Sequence, residues 1–187
     1  MMGTIVCVTG RTGAGKSTIV KTMAEEFSMP FHGFGNYERQ KWLEMFGYKS
    51  PAEYWTKLGL ERGHFSLYPE HIAQVRDRVT ESGIAVESIY SVTMLDLLRT
   101  EFPDHRAILV GAIANDELRF ERFRARESVW TDRPEYEFKV MEGFKVRIGM
   151  LVAMERAEFV IENEGSIGSL REKIRDLGNE LRLIDCR

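Results

Sequence analysis

The segment from Ile5 to Phe27 constrains this chain more than any other. Ile5-Val6-Cys7-Val8-Thr9 is a β-branched apolar run, the pattern of a strand buried on both faces. It leads into Gly10-Arg11-Thr12-Gly13-Ala14-Gly15-Lys16-Ser17, which fits G-x-x-x-x-G-K-[ST]. Lys16–Phe27 then carries Ile19, Val20 and Met23 at helical spacing. A strand, a glycine-rich turn and a helix in that order form a phosphate cradle. Glycines let the backbone turn tightly and aim its N–H groups inward, and the helix N-terminus adds partial positive charge. The expected nucleotide contacts are Gly10, Thr12, Gly13, Ala14, Gly15, Lys16, Ser17 and Thr18. Lys16 is expected to reach the β- and γ-phosphates and Ser17 to ligate Mg²⁺, so ATP and Mg²⁺ are the expected cofactors.

Downstream, apolar runs alternate with amphipathic stretches. Pro30–Phe34, Ile84–Tyr90, Ala107–Ala114 and Ala157–Glu162 read as strands. Mostly helix is expected from Asn36 to about Gly83, broken near Gly47, Pro51, Gly63 and Pro69. Helices are also expected over Val92–Phe102, from an Asn115 cap to about Glu127, over Tyr136–Arg156, and after a Ser166 cap. Ser128–Pro134 reads as a loop and Leu183–Cys186 as a candidate sixth strand. This alternation predicts an α/β fold with a five-stranded parallel sheet covered on both faces. Ligands of such sheets sit at the carboxyl ends of the strands. A length of 187 residues suits a single domain, 1–187.

Composition narrows the function. No apolar run approaches the roughly 20 residues of a membrane helix, and Ile5–Thr9 is too short for a signal peptide. Two cysteines make no disulfide framework. The chain is therefore expected to be cytoplasmic, without a membrane partner. A net charge of −3 argues against a nucleic-acid partner. Against that acidic balance, five arginines fall between Arg119 and Arg133. Arg119, Arg122 and Arg126 are spaced i, i+3, i+7 and share one helical face, while Arg124 points elsewhere. Three like charges on one face call for an anion, and a polyphosphate is the obvious one; the alternative is a solvated face paired with Glu121 and Glu127.

With these residues the chain resembles the P-loop nucleotide kinases, the group of adenylate kinase and dephospho-coenzyme A kinase. The resemblance implies their three-layer fold, a helical acceptor-binding insertion at about 35–80 and an arginine-rich lid at about 119–135, with Arg122 and Arg126 as catalytic lid arginines beside Lys16. Gly35-Asn36-Tyr37-Glu38-Arg39 looks like the G-D-x-x-R stretch that holds the acceptor phosphate, with Asn36 in place of the aspartate. It makes Gly35, Asn36 and Arg39 expected acceptor contacts; Arg39 read alone could equally be a solvated helix arginine. Glu87 keeps the acid that relatives carry after the third strand, while Ser88 and Tyr90 depart from the pattern. It would hold a Mg²⁺-bound water or orient the acceptor; a rim salt bridge is the plain alternative. Ala157–Ser166 is similar to an A-D-x-x-I-x-N-x-G-S stretch, which places Asn163 near the adenine.

Other residues stay unassigned. His32, His64, His71 and His105 are scattered without metal-ligand spacing. Cys7 reads as an inert core thiol. Trp42, Phe46, Tyr48, Tyr54, Trp55, Phe65 and Tyr68 crowd the insertion, as core or as an acceptor-base pocket.

The expected function is transfer of the ATP γ-phosphoryl to a small nucleotide. Transfer to a hydroxyl benefits from a carboxylate base, and Phe31–Asn36 has none. A nucleoside or deoxynucleoside monophosphate is thus the leading acceptor. Dephospho-coenzyme A kinase-like transfer to a ribose hydroxyl is the alternative, with Glu38 or Glu87 as base. A P-loop regulatory ATPase or nucleotide switch is the competing class. The sequence leaves the oligomeric state open.

Overall fold

β-Branched residues dominate the first strand because layers of helix cover both of its faces. In the computed structural model, which describes residues 3–127 and 131–183, Gly3–Gly10 forms β1 and every residue of it is buried. There follow α1 (Lys16–Phe27), β2 (Phe31–Gly33), α2 (Phe34–Phe46), α3 (Pro51–Gly63), a 3₁₀ turn (Phe65–Leu67), α4 (Tyr68–Arg76) and β3 (Gly83–Glu87). The second half comprises α5 (Val92–Glu101), β4 (His105–Ile113), α6 (Asp116–Glu127), α7 (Pro134–Ile148), α8 (Met150–Glu155), β5 (Phe159–Glu162) and α9 (Ile167–Leu181). Among the described residues the strands form one sheet in the order β2-β3-β1-β4-β5, and every pairing is parallel. The expected α/β architecture is the observed one.

Strand alternation divides the core. Val6, Val8, Ile108 and Val110 point to one face, where they meet Ile19, Val20 and Met23 of α1 and Leu170, Ile174 and Leu177 of α9. Ile5, Cys7, Val86 and Leu109 point to the other, against Met94, Leu95 and Leu98 of α5, Ile72 and Val75 of α4, and Ala153 of α8. Cys7 is fully buried, and burial pushes its thiol pKa far up, in keeping with an inert core position. A third cluster, outside the sheet, joins α2, α3 and α7 through Trp42, Tyr54, Trp55 and Ile148.

Register brings the chemistry to one level. Val8 pairs with Glu87 on one side and Val110 on the other, and Gly33 also pairs with Glu87. The end of β3, the end of β2 and the glycine-rich turn therefore emerge together, at the carboxyl edge where parallel sheets bind ligands.

Several expected boundaries move for local reasons. β3 stops at Glu87 rather than Tyr90, because Ser88 adopts a left-handed conformation with φ 69° and turns the chain away. The single helix expected over Tyr136–Arg156 is two helices, divided at Gly149 with φ 115°. β5 begins at Phe159 rather than Ala157. Pro51 opens α3 instead of merely breaking a helix, with the Ser50 side chain accepting from the Glu53 N–H. Of the expected loop Ser128–Pro134, residues 128–130 lie outside the described residues; so do residues 184–186 of the candidate sixth strand.

Gly178 in α9 lets the Phe27 ring of α1 lie directly against the helix backbone, where a Cβ would collide with it. Gly178→Val recovers about 0.5 kcal/mol of helix propensity but overpacks the contact by about 1–3 kcal/mol. Net destabilisation is expected, read as a lower denaturant midpoint at unchanged slope.

Candidate active site

The turn between β1 and α1 keeps its cradle shape because other elements prop it. Gly13 and Gly15 have φ of 78° and 90°, values that L side chains avoid. A Cβ on Gly13 would strike the Arg119 backbone, and one on Gly15 would strike the Asn163 side-chain amide. The Thr12 N–H donates to Glu142 Oε1 at 2.7 Å, and the Thr12 carbonyl accepts from Arg119 Nη1 at 2.9 Å. Asn163 Nδ2 donates to the Ala14 carbonyl at 3.1 Å. Lys16 curls back on its own loop, donating to the carbonyls of Gly10 and Arg11 at 2.9 Å each. It is 6% exposed, and burial lowers its pKa to about 8, against the opposing pull of Glu87.

A cavity of about 550 Å³ opens in front of this turn. Thr12, Gly13, Gly15, Lys16, Ser17 and Thr18 form its donor-side wall. Gly10 and Ala14 do not line it and act through the turn's backbone. Across it stand Gly35, Asn36 and Arg39 from the start of α2, and Glu87 from the end of β3. Arg122 and Arg126 close a third side. Pro51, Tyr54, Trp55 and Met141 supply apolar surface. The aromatic residues of the insertion thus divide: Trp42 and Tyr48 pack into the core cluster, while Tyr54 and Trp55 face the cavity from it.

The arginine face expected of Arg119, Arg122 and Arg126 is split. Arg119 is 2% exposed and is neutralised within the protein, by Asp116 Oδ1 at 2.7 Å and Glu142 Oε2 at 3.1 Å. It supports the turn and is not a closing arginine, because α7 supplies its counter-charge. Arg122 donates to the Asn163 carbonyl at 2.8 Å. Arg133 lies outside the cavity, over the Tyr136 ring. Asn163 touches the turn rather than the cavity wall, and Ser166 caps α9 by accepting from the Ser169 N–H at 3.2 Å.

One cavity-lining side chain was not singled out in the sequence. Lys145 of α7 is 3% exposed, lines the cavity and donates to Thr12 Oγ1 at 2.7 Å. Burial, then the Lys16 charge, push its pKa well below the ordinary value. Both ammonium groups lie over the Tyr90 ring, at 5.4 Å for Lys16 and 5.0 Å for Lys145. A lysine among Met141 and Ile148 on the buried stripe of α7 was the available signal. Glu38, the alternative base named from the sequence, is 2% exposed and also lines the cavity.

Glu87 is no rim residue. It is 4% exposed and accepts from Ser17 Oγ at 3.1 Å and Ser88 Oγ at 2.9 Å. A buried carboxylate beside a hydroxyl at the end of a phosphate-binding turn is a hard-oxygen donor set, which fits Mg²⁺. Among the described residues no cluster of three or more histidines, cysteines or carboxylates forms a protein-only metal cage, and no helix is long and apolar enough to cross a membrane.

The chain is 23% identical over 182 residues to the UPF0200 protein of Thermococcus sibiricus, with 95% of each covered. It is 28% identical over 182 residues to that of Thermococcus gammatolerans, covering 92% of this chain and 93% of the other. No protein-family model matches. Shikimate kinase from Acinetobacter baumannii in complex with shikimate superposes with a TM-score of 0.62 at 19% identity, over 97% of this chain and 96% of that one. A gluconokinase from Sinorhizobium meliloti superposes at 0.57 and 16% identity, over 97% and 96%. The chain has the P-loop kinase fold.

The depressed Lys16 pKa makes anion binding pH-dependent. Below about pH 8 the ammonium is already present; above it, binding must recharge the amine. The ATP γ-phosphate is fully ionised throughout that range. The dissociation constant of ATP–Mg is expected to be flat up to about pH 7.5 and to weaken by up to about tenfold per pH unit above 8. Calorimetry in two buffers of different ionisation enthalpy should record proton uptake at pH 8.5. For folding the sign is opposite: the unfolded lysine holds its proton to about 10.4, so this group adds stability as pH rises from 8 towards that value.

Proposed function

We propose that the protein is an ATP–Mg-dependent phosphotransferase acting on a small nucleotide acceptor. The charge of the cavity carries this reading. Lys16, Lys21, Arg39, Arg122, Arg126 and Lys145 line it, against Glu38 and Glu87 alone among carboxylates of the described residues. A net-acidic chain that gathers such a surplus in one cavity is built for more than one phosphate group.

The donor triphosphate lies along the Gly13–Thr18 turn, with Lys16 on its terminal phosphates. Ser17 and Glu87 would hold Mg²⁺, which would supply charge neutralisation to the phosphates. Arg122 and Arg126 stabilise the equatorial oxygens of the transferred group. Arg39 takes the acceptor phosphate with its planar fork. Tyr54 and Trp55 offer the apolar surface on which a base packs. The kinase fold and the similarity to shikimate kinase and gluconokinase structures support the reaction class.

The absence of a carboxylate between Phe31 and Asn36 supports a nucleoside or deoxynucleoside monophosphate as acceptor. A second reading has an observation of its own: Glu38, farther along α2, reaches the cavity. A phosphate-bearing acceptor of the dephospho-coenzyme A type, phosphorylated on a hydroxyl, fits the same walls. A regulatory ATPase would hydrolyse ATP with no need of either.

Incubation with ATP–Mg and a panel of ribo- and deoxyribonucleoside monophosphates and dephospho-coenzyme A is expected to yield ADP and a phosphorylated acceptor. ATP turnover indifferent to every acceptor would refute the proposal. Lys16→Ala and Glu87→Gln are each expected to lower kcat by about 10²–10³-fold. Ser17→Ala is expected to raise the Mg²⁺ concentration needed for half-maximal rate.

A further inference from the structure

Two of the histidines that look scattered in the sequence meet on one buried carboxylate, and a third backs one of them. Glu38 Oε1 lies 2.6 Å from His64 Nδ1 and 3.5 Å from His71 Nε2. His71 Nδ1 is in turn 3.3 Å from His32 Nε2. A carboxylate this buried ordinarily needs a lysine or arginine partner, or it takes a proton. Burial alone would raise the Glu38 pKa, but His64 and His71 outweigh it and hold the group below its ordinary value. The result is an anion, supported from behind by imidazoles, on the acceptor side of the cavity.

Its surroundings suit a substrate proton. Tyr54 Oη is wholly buried beside the cavity and makes no hydrogen bond of normal geometry. Burial and the Glu38 charge push its pKa well up, so it keeps a phenolic proton to offer. The groups that face Glu38 are His64, His71, Tyr54, Tyr68, Tyr90 and Arg39. His32, behind them, is pushed by burial and by His71 down to about 3 and stays neutral. α2 also begins against the metal-side carboxylate: a Cβ on Gly33 would lie 3.1 Å from Glu87 Oε1 and one on Gly35 3.9 Å from it. Glu38 follows Gly35 by three residues, about 4.5 Å along the helix axis.

We propose that Glu38 is the proton acceptor for a hydroxyl of the acceptor nucleotide, and that His64 is the residue that positions it. The inference rests on the phosphotransferase reading and selects, between its two acceptors, the one phosphorylated on a hydroxyl. A monophosphate oxygen carries no proton to remove, and a dianion brought to this wall would meet the Glu38 charge. A hydroxyl gains from it. As the hydroxyl oxygen bonds to the γ-phosphorus, the bond from phosphorus to the ADP oxygen breaks and ADP leaves with that electron pair. The hydroxyl proton passes to Glu38, and the O–H electron pair stays on oxygen in the new ester.

The linkage in the product tests this on the wild-type protein. With ATP–Mg and the same panel of acceptors, ³¹P NMR is expected to show a new phosphomonoester. A new phosphoanhydride would overturn the inference and leave the phosphotransferase reading standing; hydrolysis of ATP alone would overturn both. Glu38→Gln is expected to lower kcat by about 10²–10⁴-fold, with the acceptor KM within about threefold and ATP–Mg affinity unchanged. Wild-type kcat in that variant would overturn the base. His64→Gln is expected to lower kcat and displace the acid limb of the pH–rate profile; an unmoved limb would overturn its positioning role. Should Glu38→Gln not fold, Glu38→Asp keeps the charge, and a retained acid limb at reduced kcat is the expected result, an unchanged kcat the refuting one.

Discussion

Thr12 is gripped from three sides, and the anion-binding turn depends on that grip. A turn whose amides point inward towards a ligand forgoes many of the backbone hydrogen bonds that hold an ordinary turn in shape. The missing partners come from elsewhere. α7 supplies the Glu142 carboxylate to the Thr12 N–H and the Lys145 ammonium to its hydroxyl, while α6 supplies Arg119 to its carbonyl. Asn163, just past β5, adds a fourth contact at Ala14. α6, which carries Arg122 and Arg126, and α7 thus both help to set the shape of the turn. Any displacement of α6 or α7 would therefore reach the turn through Thr12.

The same helices load the cavity electrostatically. Lys16 and Lys145 are both desolvated and share one aromatic ring, and the Lys16 charge makes Lys145 harder still to charge. In water such an arrangement would be pointless. In a cavity it stores repulsion that a bound polyphosphate would relieve, and the relief would be larger because low-dielectric surroundings strengthen every charge interaction. The burden is limited by Glu142 and Glu87, which flank the pair. The acidic balance of the whole chain, −3, hides this local surplus.

The strand–turn–helix unit was legible because its causes are local. Apolar runs, glycines and helical spacing all act within about twenty residues, and so do the Ser50 and Ser166 caps. The parallel sheet followed from the alternation of such units. What stayed hidden was long-range. Arg119 lies 107 positions from the Thr12 carbonyl it binds, and Lys145 lies 133 positions from the Thr12 hydroxyl. Helical spacing placed Arg119, Arg122 and Arg126 on one face but could not say that α7 would bring Glu142 to the first of them. The break at Gly149 was similarly invisible, since a glycine within an apolar helical pattern is often tolerated. The histidines show the limit most plainly. His32, His64 and His71 come from β2, from the end of α3 and from α4, and only the packing of the insertion against the sheet brings His64 and His71 to Glu38 and His32 to His71.

That union also narrows what can enter. Gly35, Glu38 and Arg39 are spaced i, i+3, i+4 and so lie on one face of α2, the face lining the cavity. The glycine admits close approach, the glutamate presents an anion and the arginine a cation, all within about one turn of helix. A ligand bearing only negative charge would satisfy Arg39 and be opposed by Glu38. One bearing only hydroxyls would engage Glu38 and make no use of the Arg39 charge. The wall is complementary to a molecule that presents an anionic group and a hydrogen-bond donor a few ångströms apart. A phosphorylated ribose is a molecule of that kind; under the proposed function its sugar and phosphate would meet α2, and Tyr54 and Trp55 of the neighbouring helix would meet the base.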